Sequence, residues 1–202
     1  MTHIASLGAG VFSTLAVHTP ATDLTPAALA ALDTAGEFQA LFSTEIASIG
    51  GTKAAGAFVR IANVREFPAM GTPANIVNVP VYGSKTSSQI QGQADAPSME
   101  LTLNFVPADW AQEAGNILGN MVGDGKQYVF RFALLNSEPT GTGATKYAST
   151  AAGLGTVENS QYYWYGKVEA LSVTPSLTDA NTATVTITVQ SEFFGAYTNA
   201  AV

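Results

Sequence analysis

Residues 181–190 read "NTATVTITVQ", and their alternation decides the class of fold. Ala183, Val185, Ile187 and Val189 fall on one side; Thr182, Thr184, Thr186 and Thr188 fall on the other. Successive side chains of an extended chain point to opposite faces, so a period of two marks a strand with one face buried. Residues 99–106, "MELTLNFV", repeat the pattern, with Met99, Leu101, Leu103 and Phe105 against Glu100, Thr102 and Asn104. Tyr128, Phe130, Phe132 and Leu134 form a third apolar row. Further strands are expected at 57–64, 75–82, 87–93 and 162–173. The last of these slips phase near Ala170–Leu171, which predicts a bulge.

One helix stands out at about 107–122. Asp109 and Glu113 lie toward its N-terminus, where the helix dipole favours negative charge. Trp110, Ala114, Ile117, Leu118 and Met121 recur at helical spacing, and Gly123 ends the run. A second helix is expected from Thr25 to about Asp33, with Thr25 as N-cap and Pro26 at the first helical position. Residues 136–161 are rich in Gly, Thr, Ala and Ser and nearly free of large apolar side chains, so they read as a long loop. The sequence therefore predicts a mainly β fold, a β-sandwich or distorted barrel with one flanking α-helix. It forms a single domain over 1–202, with 1–56 as an N-terminal arm or extension.

Composition narrows the function. Only 11% of residues are charged, against a norm of about 25%. A monomer usually keeps itself soluble with charge; this surface has little electrostatic reason to avoid copies of itself. The net charge is −7 and the eight basic residues are scattered, so the footprint of a nucleic-acid binder is missing. The chain has no cysteine, which removes disulfides, thiolate zinc sites and cysteine nucleophiles. The N-terminus lacks the basic region of a signal peptide, and no apolar run is long enough to cross a bilayer as a helix. No membrane partner is expected.

Catalytic equipment is equally sparse. The two histidines, His3 and His18, lie outside the strong strand pattern. A Ser–His–Asp device needs a histidine held rigidly between partners, and His18 with Asp23 nearby reads better as a packed or solvated side chain. No histidine pair has metal-ligand spacing. Around Lys126, "NMVGDGKQ" misses the phosphate-binding loop: Asn120 stands where its first glycine belongs, and Gln127 where Ser or Thr would hold magnesium. No catalytic, cofactor or metal residue is expected, and the reading is not an enzyme. Tyr162, Tyr163, Trp164 and Tyr165 could stack on a sugar or base; the preferred reading shares them between the core and an inter-subunit contact.

The order of elements carries a resemblance. A strand "NIVNVPVY" leads through a Gly/Ser loop to "DAPSMELTLNFVPADW" and a helix. An aromatic strand "YVFRFALL", a long loop and a final pair around "YYWYGKVEALSVTPSLTDANTATVTITV" follow. Over roughly 57–195 this order resembles the major tail tube proteins of long-tailed, siphovirus-like phages, and through them the wider superfamily of tail tubes and type VI secretion tubes. The resemblance implies a virion structural protein without cofactors that self-assembles as hexameric rings stacked into the tail tube. It implies tape-measure, tail terminator and tail-tip proteins as partners, assembly in the host cytoplasm, and DNA passing through the lumen at genome ejection without specific binding. Thr184, Thr186 and Thr188 are then candidates for the lumen or solvent face, and Tyr162, Tyr163, Trp164 and Tyr165 for inter-subunit contacts. Alternatives are another tube-forming subunit (a tail terminator, a contractile-tail or a type VI tube) or a carbohydrate-binding β-sandwich module.

Overall fold

A computed structural model describes residues 12–19, 24–45, 57–71, 76–83, 85–92, 97–106, 117–136, 138–149 and 159–197. Mainly β, it is organised by one strand, Ser160–Thr174 (β9 in chain order), which is 15 residues long. On one side β9 pairs with Tyr128–Leu134 (β8), and on the other with Thr182–Val189 (β10) and the short Phe194–Tyr197 (β11). β10 pairs in turn with Ser98–Asn104 (β7), and β7 with Val64–Glu66 (β4). Beyond β8 lie Thr14–His18 (β1), Ala57–Arg60 (β3) and the two-residue Thr44–Glu45 (β2). The β2–β3 pair is parallel and the rest antiparallel, so the sheet is mixed. Separate from it, Ile76–Val79 (β5) and Ser88–Gln91 (β6) form a two-stranded hairpin.

Why this sheet rolls follows from its connections. The ladder order is β2-β3-β1-β8-β9-β10-β7-β4, which puts β3 and β4 six places apart. In a flat sheet that is about 29 Å. Residues 61–63 alone join them, and the step from Arg60 to Val64 can span at most about 14 Å. The two ends must therefore curl toward each other. The crossing is visible in single bonds: Ile61 N–H donates to the Leu15 carbonyl in β1 (2.8 Å), and two residues later the Asn63 carbonyl accepts from Asn104 N–H in β7 (2.9 Å). Asn63 makes the corner in the left-handed region, φ 57, where Asn is among the few non-glycine residues that sit readily. The result is a mixed sheet whose ends curl toward each other but which is not closed into a barrel.

Inside the roll, the rows read from the sequence meet. Leu15, Val17, Val59, Met99, Leu101, Leu103, Phe130, Trp164, Val185, Ile187 and Val189 form one apolar cluster. The bulge also falls where the phase slips. Thr186 pairs with Ala170 but Ile187 with Val168, leaving Glu169 as the extra residue. The inward-facing row therefore passes from Trp164, Gly166 and Val168 to the half-buried Leu171. Gly166 is there because any Cβ would come within 2.6 Å of the Thr188 carbonyl.

The outside of the roll is also covered over β1, β3, β8 and the start of β9. Pro26–Ala30 (α1) is capped by Thr25, whose hydroxyl accepts from Ala28 N–H (3.2 Å) with Pro26 in the first turn, as the sequence predicts. The following Ala35–Leu41 (α2) carries a capping box, Thr34 with Glu37. Leu29, Phe38 and Phe42 pack on Ala16, Phe58, Val129 and Tyr163. Within the stretch 1–56 expected as an arm or extension, the described parts are β1, an interior strand of the sheet, and α1 and α2, which form an outer layer. Five residues are too few to announce β1 by periodicity. Of the helix expected at 107–122, Ile117–Met121 (α3) is described, with Leu118 and Met121 in the inner core; residues 107–116 lie outside the described residues. Glycines 123 and 125 follow with positive φ, and the Asp124 carboxylate accepts from Lys126 N–H (2.9 Å) and the Tyr128 hydroxyl (2.5 Å). This is a helix exit and turn.

Candidate self-assembly surface

The threonine row of β10 lies on a wider polar face. Thr184 pairs with Thr102 and Ser172, Thr186 with Glu100 and Ala170, Thr188 with Ser98 and Lys167. Thr184, Thr186 and Thr188 are half-buried, whereas Ala183, Val185, Ile187 and Val189 beside them are fully buried. Three strands thereby present hydroxyls on one side, with two carboxylates (Glu100 and the exposed bulge residue Glu169) and a single ammonium (Lys167) along the paired stretch. The row on β10 is legible in the sequence. Its joining to Ser98, Thr102 and Ser172 is a matter of register, which one strand cannot reveal.

The aromatic run divides into two buried and two half-buried side chains. Tyr163 and Trp164 are both fully buried although adjacent, because both faces of β9 are covered there. Trp164 stacks on Phe130 inside the roll (5.8 Å between centroids), and Tyr163 stacks on Phe38 of α2 outside it (5.1 Å). Neither has surface to offer a neighbour or a sugar. Tyr162 and Tyr165 are half-buried.

Beneath α2 a polar network holds the outer layer. The Tyr163 hydroxyl donates to Gln161 Oε1 (2.7 Å), Gln161 Nε2 to the Ser149 carbonyl (3.3 Å), and Ser149 Oγ to the Gln39 carbonyl (2.5 Å). Ser149 N–H reaches the Phe42 carbonyl (2.9 Å). Burial pushes the Tyr163 hydroxyl well above the usual phenol range. Arg131 is fully buried, its guanidinium over Phe58 (4.7 Å) and Phe42 (5.0 Å), and its Nη2 donates to the Tyr147 carbonyl (2.8 Å). Desolvation lowers its pKa to about 10. Arg60 pairs with Glu45 and covers the Tyr147 ring at 3.7 Å. The stretch read as a loop over 136–161 is therefore fixed at 147–149 by named partners; residues 150–158 lie outside the described residues.

His18 belongs to the same layer. It is buried, 6.2 Å from the Phe42 ring, and neither ring nitrogen has a hydrogen-bond partner among the described residues. Desolvation lowers its pKa to about 4, so the ring is neutral at pH 7. It is a packed histidine; Asp23 and His3 lie outside the described residues. Among the described residues no group of three or more His, Cys, Asp or Glu could hold a metal ion, and no helix is long and apolar enough to cross a membrane.

What remains exposed is concentrated in projecting elements. In the β5–β6 hairpin Val77 faces Ile90 directly, and Ile76, Val77, Val79 and Ile90 are all exposed, Ile76 at 56% and Ile90 at 55%. Val81 and Tyr82 continue the apolar surface toward the turn. Neither strand contains a charged residue. Two unsupported strands are marginal in water, and a hairpin whose strands are uncharged and expose apolar side chains is a template for pairing with another chain. Further free edges lie on the main sheet. Beyond Gly166, β9 has lost β8 as a neighbour; the Val168 carbonyl accepts from Gly123 N–H (3.1 Å), and past the bulge the strand pairs through β10 alone among the described residues. At the end of the ladder, β4 likewise keeps only β7. The sequence marks β5 and β6 as strands, but it does not show that they leave the core.

No family model matches the chain, and no curated protein matches it. Among solved structures it is similar to the SPP1 tail tube, determined by solid-state NMR and cryo-EM. That match has 10% identity and a TM-score of 0.48, covering 95% of this chain and 81% of the other. It is also similar to an Hcp protein in a crystal structure, with 10% identity, a TM-score of 0.34 and 88% of each chain covered. At these distances the functional reading rests on the chain's own surfaces.

Proposed function

We propose that the protein is a non-enzymatic structural subunit that assembles into hexameric rings, stacked as the tail tube of a long-tailed phage. The observation that carries self-assembly is the β5–β6 hairpin, whose uncharged, largely exposed strands no other part of the described chain covers. Two further features support the reading. The edge of β9 beyond the Glu169 bulge and the outer edge of β4 are complementary ends for strand pairing between neighbours, and ring closure would leave neither exposed. The hydroxyl face of β7, β10 and β9 offers DNA no cluster of cations, as a conduit for a polyanion requires. The phage assignment itself rests on the order of elements. With it come the tape-measure, terminator and tail-tip proteins as partners, assembly in the host cytoplasm, and the virion tail as location.

The test is electron microscopy of the purified protein across a concentration series, with sedimentation in parallel. Tubes or stacked rings are expected at high concentration. A single monomeric species throughout would end the proposal.

A further inference from the structure

An apolar groove of about 270 Å³ opens at one end of the roll, lined by Met70, Gly71, Phe132, Tyr162, Phe193 and Gly195. None of these residues is charged. Tyr162 lies two residues from the start of β9. At the other end of the same strand, beyond Thr174, the β9–β10 turn carries Leu177, whose relative exposure is 105%. Its immediate surroundings, "VTPSLT" at 173–178, are also uncharged, and Val173 is exposed beside it. The turn is built rather than loose: Ser176 N–H donates to Asn181 Oδ1 (2.8 Å), and Asp179 N–H to Ser176 Oγ (3.1 Å).

From Tyr162 to Thr174 is about 40 Å of strand. The knob and the groove are thus held at opposite ends of one rigid element, and a copy cannot fill its own groove. A second copy displaced along the strand direction can. Such a contact joins two different patches, so it is heterologous and propagates instead of stopping at a dimer. We propose that Leu177 of one copy seats in the Met70–Phe132–Tyr162–Phe193 groove of the next, as the contact that stacks subunits end to end.

The inference rests on the self-assembly reading and goes beyond it by naming the contact. Because the chain has no cysteine, single-cysteine variants Leu177→Cys and Met70→Cys can be mixed and oxidised with diamide in assembled material. A disulfide between the two variants is expected, since bridging needs Cα atoms within about 7 Å. Leu177→Asp should raise the concentration at half assembly at least about tenfold while leaving the melting temperature unchanged. Assembly without a 177–70 cross-link, or with Tyr82→Cys cross-linking to Met70→Cys in its place, overturns the contact and leaves the assembly reading standing. Absence of assembly in the unmodified protein overturns both.

Discussion

Strands β10 and β5 draw on the same kinds of residue and meet opposite fates. In β10 alternate β-branched side chains are fully buried beneath the rolled sheet, while the threonines between them stay half-exposed. In β5, "IVNV", every residue is exposed. Its partner β6 adds Ile90, which is bare as well. Local sequence makes both of them strands; only the first has a second surface to close on. The difference teaches that apolar content in this chain reports two kinds of burial. One is completed within the subunit, and the other is left open among the described residues.

That contrast can be broken at its strongest point. Val185→Asp would place a carboxylate among Leu101, Trp164 and Ile187 without a partner, at a cost of about 5 kcal/mol or more. The cooperative unfolding transition should disappear in circular dichroism. A folded Val185→Asp protein would mean that β10 faces the other way.

The outer layer offers a smaller and graded effect. His18 titrates near 6.5 when unfolded and near 4 when folded, so the unfolded chain binds the extra proton between those values. Stability should be indifferent to His18 above about pH 6.5 and fall as pH drops from there to about 4. The total is roughly 3 kcal/mol. Comparing denaturant midpoints of the native protein and His18→Leu across that window isolates the effect, because the carboxylates titrate in both. Parallel curves would show that the ring is not held neutral beneath α2.

The smallest effect on the fold is expected where β5 lies bare. Val77→Asp combined with Ile90→Lys should change stability by no more than about 0.5 kcal/mol, the range of surface substitutions. It should nonetheless abolish assembly in sedimentation. A clear drop in melting temperature would show that the hairpin packs on its own subunit and would erase the contrast with β10.

How much of this was legible follows the same division. Period two placed β7, β8 and β10 and chose the buried rows of β7 and β10, because one face of each lies in the core; in β8, where both faces are covered, Val129, Arg131 and Ala133 of the opposite row are buried as well. The slip at Ala170–Leu171 announced the bulge. Thr34 and Glu37 spell a capping box for α2 that composition-led reading passes over. What sequence could not supply was anything depending on two segments at once. The burial of both Tyr163 and Trp164 needs a second layer over β9, and the hydroxyl face needs the register of three strands. The full exposure of Tyr82 and Leu177 at their turns likewise depends on what the rest of the chain leaves uncovered.

The crossing at residues 61–63 has one more consequence. A sheet with free ends can fray strand by strand from either margin. Here β3 and β4 are anchored on opposite margins by one short tether, so peeling β4 from β7 drags on β3 and β1. Loss of either margin loosens the other. The roll should therefore open as a single cooperative unit, with the amides of β1 and β7 exchanging their hydrogens at a common rate despite lying at different margins of the sheet.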